Sequence, residues 1–215
     1  MLEVLPRVIP PAPGNEPRPP DEYLPMQEVT RQVALEGGWT GERAQRIRQL
    51  FDSLAADWHT RGGPERAAPV EDMLTRGGLP RGGRCLEVGS GTGLQTPALA
   101  THFGDVISID LSSQMLALAP RHLGPLVMAD TAALPFCDGG FDAVVCINAF
   151  LLPEEQSRVL AGGGAIAFVS TIGASTPIYL PPEDVMRALP GTWRGVTSEA
   201  CWGTWTVARR PETKS

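Results

Sequence analysis

The chain has 215 residues, of which 42% are hydrophobic, and this composition suits one globular domain with an ordinary core and an appendage. Its formal net charge of −6 and its pI near 5.1 argue against a nucleic-acid partner held by electrostatics. No run approaches roughly 18 apolar residues and the N-terminus lacks the layout of a signal peptide, so we expect a cytoplasmic protein without a membrane partner.

The first part of the chain divides into an arm and a helical region. Residues 1–25 contain eight prolines, which exclude a helix and a central strand. This Pro-rich arm is predicted either to be disordered or to wrap around the domain through its apolar residues. Residues 26–78 are predicted to form N-terminal helices over 26–36, 42–59 and 64–75, because apolar residues recur there at helical spacing between glycine pairs.

Residues 79–215 are predicted to form the core. Short apolar runs alternate with helical segments, a pattern that predicts an α/β fold with a mostly parallel sheet and helices on both faces. The predicted strands are 84–89, 105–110, 125–129, 141–147, 164–171, 192–198 and 201–209, and the predicted helices are 94–103, 112–119 and a short one within 153–160. No helix separates the last two strands, so they are predicted to form a C-terminal antiparallel hairpin.

A glycine-rich turn follows the first core strand, in the run R-C-L-E-V-G-S-G-T-G at residues 84–93. Because Gly89, Gly91 and Gly93 carry no Cβ, the backbone there can approach a ligand closely, and the helix start that follows leaves N–H groups free. Glu87 precedes the first glycine by two residues. A carboxylate at this point would repel a pyrophosphate but suits a ligand with a positively charged amino-acid end.

Two further acids end the next two predicted strands. Asp110 lies 21 residues after Gly89, at the carboxyl edge of the sheet, where it can accept hydrogen bonds from both hydroxyls of a ribose. It can also cap the helix that begins at Ser112, and the two roles are compatible. Asp130 follows the third strand, where its carboxylate can accept from the exocyclic amine of a base, although alone it would be interpreted as a helix cap.

Five motifs occur in a fixed order along the chain: E-V-G-S-G-T-G at 87–93, I-D-L-S at 109–112 with Met115-Leu116, D-T at 130–131 through L-P-F at 134–136, F-D-A-V-V at 141–145, and R-V-L-A-G-G at 158–163. Together they resemble class I S-adenosylmethionine-dependent methyltransferases, in the small-molecule branch typified by the ubiquinone/menaquinone type. The resemblance covers roughly residues 45–210. It implies a Rossmann-like, seven-stranded, mostly parallel sheet whose last strand is antiparallel.

The same resemblance implies S-adenosylmethionine as the cofactor and S-adenosylhomocysteine as the product. Glu87 and the glycine turn would face the methionine end, Asp110 would hold the ribose, and Asp130 would bind the adenine amino group. The residues implied to bind the cofactor are Glu87, Val88, Gly89, Ser90, Gly91, Gly93, Asp110, Leu111, Met115, Asp130, Thr131 and Asn148.

The methyl acceptor is expected to be a small molecule bound above Asn148, in a pocket whose candidate residues are Trp58, Phe150, Thr171 and Tyr179. A general base is needed only if the acceptor must lose a proton. His59 is the candidate catalytic base, because it follows an amphipathic helix that the fold would place over the cofactor. A solvent-exposed histidine at a helix end is the alternative interpretation.

Other functions remain open at this point. A cofactor-binding module without catalysis would keep the same ligand motifs, and an NAD(P)-binding oxidoreductase would share the glycine turn and Asp110 without needing Glu87 or Asp130. The four cysteines fall singly in apolar segments without a C-x-x-C pair, so neither a disulfide nor a metal site is predicted. The acceptor, its reacting atom and the choice between monomer and homodimer are left open by the sequence.

Overall fold

One mixed sheet of eight strands organises the structure, a computed structural model that describes residues 1–11, 13–14, 16–17 and 24–211. Part of the predicted Pro-rich arm and the last four residues lie outside the described residues. The strands are β1 (Leu2–Val4), β2 (Arg84–Val88), β3 (Asp105–Asp110), β4 (Leu126–Met128), β5 (Phe141–Ile147), β6 (Leu160–Ser170), β7 (Arg194–Ala200) and β8 (Gly203–Arg209). Their spatial order is β1-β7-β8-β6-β5-β2-β3-β4.

The central strands β2, β5 and β6 pair in parallel and are buried on both faces, as their nearly continuous apolar sequences predict. Strand β8 pairs antiparallel with both β6 and β7. The predicted α/β class, the mostly parallel sheet and the C-terminal hairpin are therefore confirmed. The predicted number of seven strands was wrong by one, because β1 adds a strand at the edge of the sheet.

Strand β1 comes from the beginning of the Pro-rich segment. It pairs in parallel with β7, and the contact continues where Leu5 N donates to Thr197 O at 2.8 Å. An edge strand needs hydrogen bonds on one side only, and the first proline, Pro6, comes after the strand ends. The described beginning of the chain therefore lies along the edge of the sheet.

The helices are α1 (Leu24–Glu36), α2 (Gly41–Leu54), α3 (Pro64–Arg76), α4 (Thr96–His102), α5 (Ser113–Leu118), α6 (Pro153–Val159) and α7 (Pro182–Ala188). The helix predicted over 42–59 is divided, because a 3-10 helix at Ala55–Arg61 follows α2. Helix α7 was not predicted, since seven residues make about two turns, too few for a clear apolar period. None of the described helices is long and apolar enough to cross a membrane.

Helix α3 packs on the sheet around a buried polar contact. Asp72, only 4% exposed, accepts a hydrogen bond from Trp205 Nε1 at 2.7 Å, and Trp205 is fully buried. The same carboxylate takes two hydrogen bonds from the Arg76 guanidinium, at 2.7 Å from Nε and 2.6 Å from Nη2. One side chain thus satisfies an indole N–H in the core and a partly buried cation.

Replacing Asp72 by alanine is expected to lower the free energy of unfolding by about 2 kcal/mol, because Trp205 and Arg76 then lose their charged partner. Urea denaturation measures this loss. Asp105→Ala is the matched control, since it breaks the exposed ion pair with Arg84 at 3.3 Å and should cost less than about 1 kcal/mol. Equal losses in the two variants would contradict a structural role for the buried contact.

Candidate cofactor and acceptor site

A cavity of about 220 Å³ lies at the carboxyl edge of the parallel strands. Its floor is formed by the ends of β2, β3 and β5, and its roof by α2 and the 3-10 helix that follows. Strand β2 lies between β3 and β5, so the chain crosses the sheet in opposite directions on its two sides. Ligands of open α/β sheets bind in the crevice that such a reversal creates.

The glycine turn forms one end of this cavity. Gly91 has a φ of +58°, and a Cβ built on it would lie 3.2 Å from Trp58 Nε1 of the roof. A Cβ on Gly89 would lie 2.6 Å from the Cβ of Ala149. Gly89, whose φ is +66°, therefore requires glycine for space as well as conformation, whereas at Gly91 the positive φ favours glycine and the space beside Trp58 is tight. The hydroxyl of Ser90, between them, is buried without a hydrogen-bond partner among the described residues and is available to a ligand.

Glu87 lies at the end of β2, 2% exposed, and lines the cavity. Its Oε2 accepts hydrogen bonds from Thr96 Oγ1 and Ser108 Oγ, both at 2.7 Å. Burial raises the pKa of Glu87 to about 7, although the two hydroxyls favour the charged form and oppose this shift. A buried carboxylate of this kind can stabilise a cation that enters the cavity.

Asp110 ends β3 on the opposite side of the glycine turn. Its Oδ2 accepts from Gly91 N and its Oδ1 from Ser112 N, each at 2.8 Å, so it holds the turn and also the start of α5. Burial raises the pKa of Asp110 despite these backbone hydrogen bonds. Each carboxylate oxygen can accept more than one hydrogen bond, so Asp110, which lines the cavity, keeps capacity for ligand hydroxyls.

Asp130 follows β4, and its carboxylate is partly covered. Oδ1 accepts from the indole Nε1 of Trp39 at 2.8 Å and from Ala132 N at 2.9 Å. Trp39 belongs to the connection between α1 and α2 and lines the cavity, as does Thr131. Asp130 itself is not one of the residues found to line the cavity.

Asn148 follows β5 in a left-handed conformation with a φ of +51°, which is uncommon for a residue other than glycine. Its side-chain amide is held by Thr171: Thr171 N donates to Oδ1 and Nδ2 donates to Thr171 Oγ1, both at 2.9 Å. Both residues line the cavity. The pair fixes two polar groups beside the aromatic ring of Phe150.

The structure brings most of the predicted site residues together. Those that line the cavity are Glu87, Val88, Gly89, Ser90, Gly91, Asp110, Leu111, Met115, Thr131, Asn148, Trp58, Phe150 and Thr171. Gly93 instead packs beneath the turn, where a Cβ would lie 2.7 Å from Pro120 Cδ. Tyr179 is half-buried outside the cavity, where burial and the charge of Glu183 raise its pKa.

His59 lies on the solvent side of the 3-10 helix, and its Nδ1 is 3.2 Å from Ala56 O. It is not one of the residues that line the cavity, so the geometry gives it no contact with a bound ligand. Successive residues of a 3-10 helix point to different sides, so Trp58 lines the cavity while its neighbour His59 is exposed.

Two cations of the site were missed by sequence reasoning. Arg61 and Arg66 line the cavity near the glycine turn, and the Arg61 guanidinium lies 4.6 Å from the centre of the Trp58 ring. The apolar period of α2 ends before these residues, so it did not indicate that they line the cavity. Carboxylates and guanidinium groups thus line the same cavity, an arrangement that suits an amino acid with both charges.

Comparisons with known proteins agree with this geometry. Residues 86–168 match the model of a family described as a methyltransferase domain. The chain is 34% identical over 148 residues to the biotin biosynthesis bifunctional protein BioHC of Cellvibrio japonicus, covering 63% of this chain and 29% of that protein. It is 32% identical over 129 residues to the demethylmenaquinone methyltransferase of Corynebacterium efficiens, covering 56% of each.

The solved structure of the DhpI–SAH complex has the same fold, with a TM-score of 0.62 and 21% identity over 80% of this chain and 98% of that one. The chain spans about half, or less, of the length of the curated relatives named here. The matched segment includes the glycine turn, Asp110, Asp130 and Asn148. The family resemblance that the motifs predict is confirmed.

Proposed function

We propose that this chain, whose residues 86–168 match the model of a methyltransferase domain, is a class I S-adenosylmethionine-dependent methyltransferase that binds S-adenosylmethionine in its cavity and methylates a small molecule. The observation that carries the proposal is the joint position of Glu87 and Asp110. Both carboxylates line one cavity together with a glycine turn, where a Cβ added at Gly89 would lie 2.6 Å from the Cβ of Ala149. The buried, unpartnered hydroxyl of Ser90 supports the fit, since it faces no protein acceptor among the described residues.

In this proposal the charged residues of the cavity determine the orientation in which the cofactor binds. Glu87 stabilises the ammonium group of the methionine end, while Arg61 and Arg66 stabilise its carboxylate. Asp110 accepts hydrogen bonds from the ribose hydroxyls. Leu111 and Met115 contact the adenine ring, and Asp130 and Thr131 face its polar edge. When bound, the cofactor supplies an electrophilic methyl group for an in-line displacement.

The remaining residues orient the acceptor and exclude water. Phe51, Trp58 and Phe150 give the cavity aromatic walls, and Leu152 and Ile178 extend the apolar surface. The Thr171 hydroxyl, fixed by Asn148, offers a polar anchor to the acceptor. The relatives named above are described as acting in biotin biosynthesis and on demethylmenaquinone, and we propose for this chain only that its acceptor is small and largely apolar.

The lining residues also limit the chemistry of the acceptor. Within the described residues, no histidine, lysine, cysteine or tyrosine lines the cavity, and Glu87 and Asp110 are engaged with the cofactor in this proposal. We therefore propose that the reacting atom is nucleophilic without a protein base, as in an amine, a thiolate or an enolate carbon. The same observation favours a second candidate, a cofactor-binding module without catalysis.

Formation of S-adenosylhomocysteine separates these two candidates. Purified protein is incubated with S-adenosylmethionine and a panel of apolar amines, thiols and acidic ring compounds, and the product is quantified by mass spectrometry. Turnover that requires the acceptor supports the methyltransferase. Cofactor binding without turnover on any member of the panel supports the binding module.

Cofactor affinity should depend on pH through Glu87. Because burial raises its pKa to about 7, the carboxylate is mostly protonated at pH 6 and mostly ionised at pH 7.5. A cationic ligand prefers the ionised form, so we expect S-adenosylhomocysteine to bind about five- to tenfold more tightly at pH 7.5 than at pH 6. Titration calorimetry at the two pH values measures the ratio. The ratio should disappear in Glu87→Gln, and a ratio near one in the wild-type protein would contradict the prediction.

A further inference from the structure

Trp39 connects the N-terminal helices to the acid that follows β4. Its indole Nε1 donates to Asp130 Oδ1 at 2.8 Å, and its ring packs on Phe150 with ring centres 5.4 Å apart and an angle of 56° between the rings. Trp39 lines the cavity, whereas Asp130 does not. The indole of Trp39 is therefore hydrogen-bonded to the carboxylate that the proposed function assigns to the adenine amino group.

An indole N–H and an exocyclic amine are both hydrogen-bond donors, and Oδ1 of Asp130 accepts from both Trp39 Nε1 and Ala132 N. Oδ2 can accept further hydrogen bonds, but Trp39 lines the cavity and Asp130 does not, so a ligand in the cavity reaches this carboxylate only if the indole moves. We propose, on the basis of the proposed function, that Trp39 is an internal competitor of the cofactor: its indole covers Asp130 and is displaced when adenine binds. Cofactor binding is therefore weaker by the free energy needed to break the Trp39–Asp130 contact.

The surrounding contacts allow this displacement to be local. Trp39 lies in the short connection between α1 and α2, directly after Gly37, whose φ is +68°, and Gly38. Both flanking helices are attached to the core. In α1, Gln27 Nε2 donates to Ala174 O at 2.7 Å, and in α2, Asp52 accepts from Ser112 Oγ at 2.5 Å. Within the connection, Gly38 N donates to Gln32 O at 3.1 Å and Gly38 O accepts from Arg43, so a swing of the connection breaks these two hydrogen bonds while the helices stay in place.

Displacement of Trp39 also changes the acceptor side of the cavity. Its ring covers Phe150, which the proposed function places in the acceptor wall. When adenine releases the indole from Asp130, this face of Phe150 becomes accessible. The acceptor pocket therefore reaches its full size only after the cofactor has bound, so the cofactor binds first and the acceptor second.

The test compares Trp39→Phe with the wild-type protein by calorimetric titration of S-adenosylhomocysteine. Phenylalanine keeps an aromatic ring against Phe150 but lacks the N–H, so we expect about a fivefold lower Kd. Trp193→Phe is the control: it removes an indole whose Nε1 bonds to Pro190 O, far from the cavity, and should leave the Kd unchanged. In an Asp130→Ala background, Trp39→Phe should bring no gain, because the competition no longer exists.

A second measurement needs no variant. Hydrogen exchange of the wild-type backbone over residues 37–40 should become faster when S-adenosylhomocysteine binds, although exchange at the glycine turn becomes slower. A Kd for Trp39→Phe equal to or above that of the wild type, or slower exchange over 37–40 on binding, would overturn the proposal. If the wild-type protein does not bind S-adenosylhomocysteine at all, the proposed function fails, and this inference fails with it.

Discussion

Replacing Asp110 by alanine is expected to weaken S-adenosylhomocysteine binding about a hundredfold or more while leaving the sheet folded. In the proposed complex the carboxylate accepts from two ribose hydroxyls, and hydrogen bonds to charged groups contribute about 1.5–3 kcal/mol each. The substitution also removes the acceptor of Gly91 N, at 2.8 Å, so the glycine turn loses part of its support. Both effects act on the ligand site.

The fold should tolerate this substitution because two effects offset each other: the hydrogen bonds from Gly91 N and Ser112 N are lost, and a buried charge is removed. Burial raises its pKa, which means that the protein holds the ionised form at a cost. The same circular dichroism spectrum and a similar unfolding midpoint are therefore expected. Asp105→Ala, at the exposed beginning of the same strand, is the control and should bind like the wild type. An affinity of Asp110→Ala within threefold of the wild type would refute the ribose assignment.

Glu87→Gln should have two opposite effects: a loss of cofactor affinity of about a hundredfold and a gain in stability at pH 8. The loss follows because glutamine cannot balance the charge of the ammonium group in a buried site. The gain follows because burial, which raises the pKa of Glu87 to about 7, disfavours the ionised carboxylate in the folded protein. The gain is of the order of 2–3 kcal/mol above pH 7.

The direction in which the stability of the protein changes with pH tests this explanation of the Glu87→Gln variant. The folded-state pKa of Glu87 lies above the unfolded value of about 4.5, so the folded protein binds more protons between these values and loses stability as the pH rises through them. The gain in Glu87→Gln should thus vanish below about pH 4.5. Glu155→Gln is the control of opposite sign, because the hydrogen bonds from Arg158 lower the pKa of Glu155, so this variant should lose stability at pH 8. Urea denaturation at pH 8 and below about pH 4.5 measures the free energy of unfolding of each variant. A Glu87→Gln protein that is less stable than the wild type at pH 8 would contradict this prediction.

Such a conflict between stability and binding is expected at a ligand site. Glu87 is only 2% exposed and lines the cavity, and the charge of another acid, Asp110, raises the pKa of Glu87 further. A bound cation would offset both costs. We infer that the site is arranged for a ligand that carries positive charge.

The sequence predicted best what depends on short-range pattern. Strands β2, β3 and β5 are continuous apolar runs that end in a turn, and parallel strands place their carboxyl ends at one edge. For this reason Glu87 and Asp110 could be assigned to one site before the structure was known, and the family resemblance added Asn148. The spacing of the glycines predicted the turn that follows Glu87.

Features that depend on distant contacts could not be predicted. Strand β1 forms only because β7, almost 200 residues later, offers it an edge. The hydrogen bond between Trp39 and Asp130 joins residues 91 apart in the chain, and neither helical nor strand period indicates it. His59 was chosen because it follows a helix predicted to lie over the cofactor, but its neighbour Trp58 takes the inward position, with its ring centre 5.5 Å from that of Phe51, and His59 is exposed.

Calorimetric titration with S-adenosylmethionine, S-adenosylhomocysteine and NAD tests the central claim most directly. Glu87 and the narrow glycine turn should admit the amino-acid end of the first two ligands and repel the pyrophosphate of the third. The account predicts micromolar binding of S-adenosylmethionine and S-adenosylhomocysteine and no binding of NAD. Binding of NAD, or of none of the three, would contradict it.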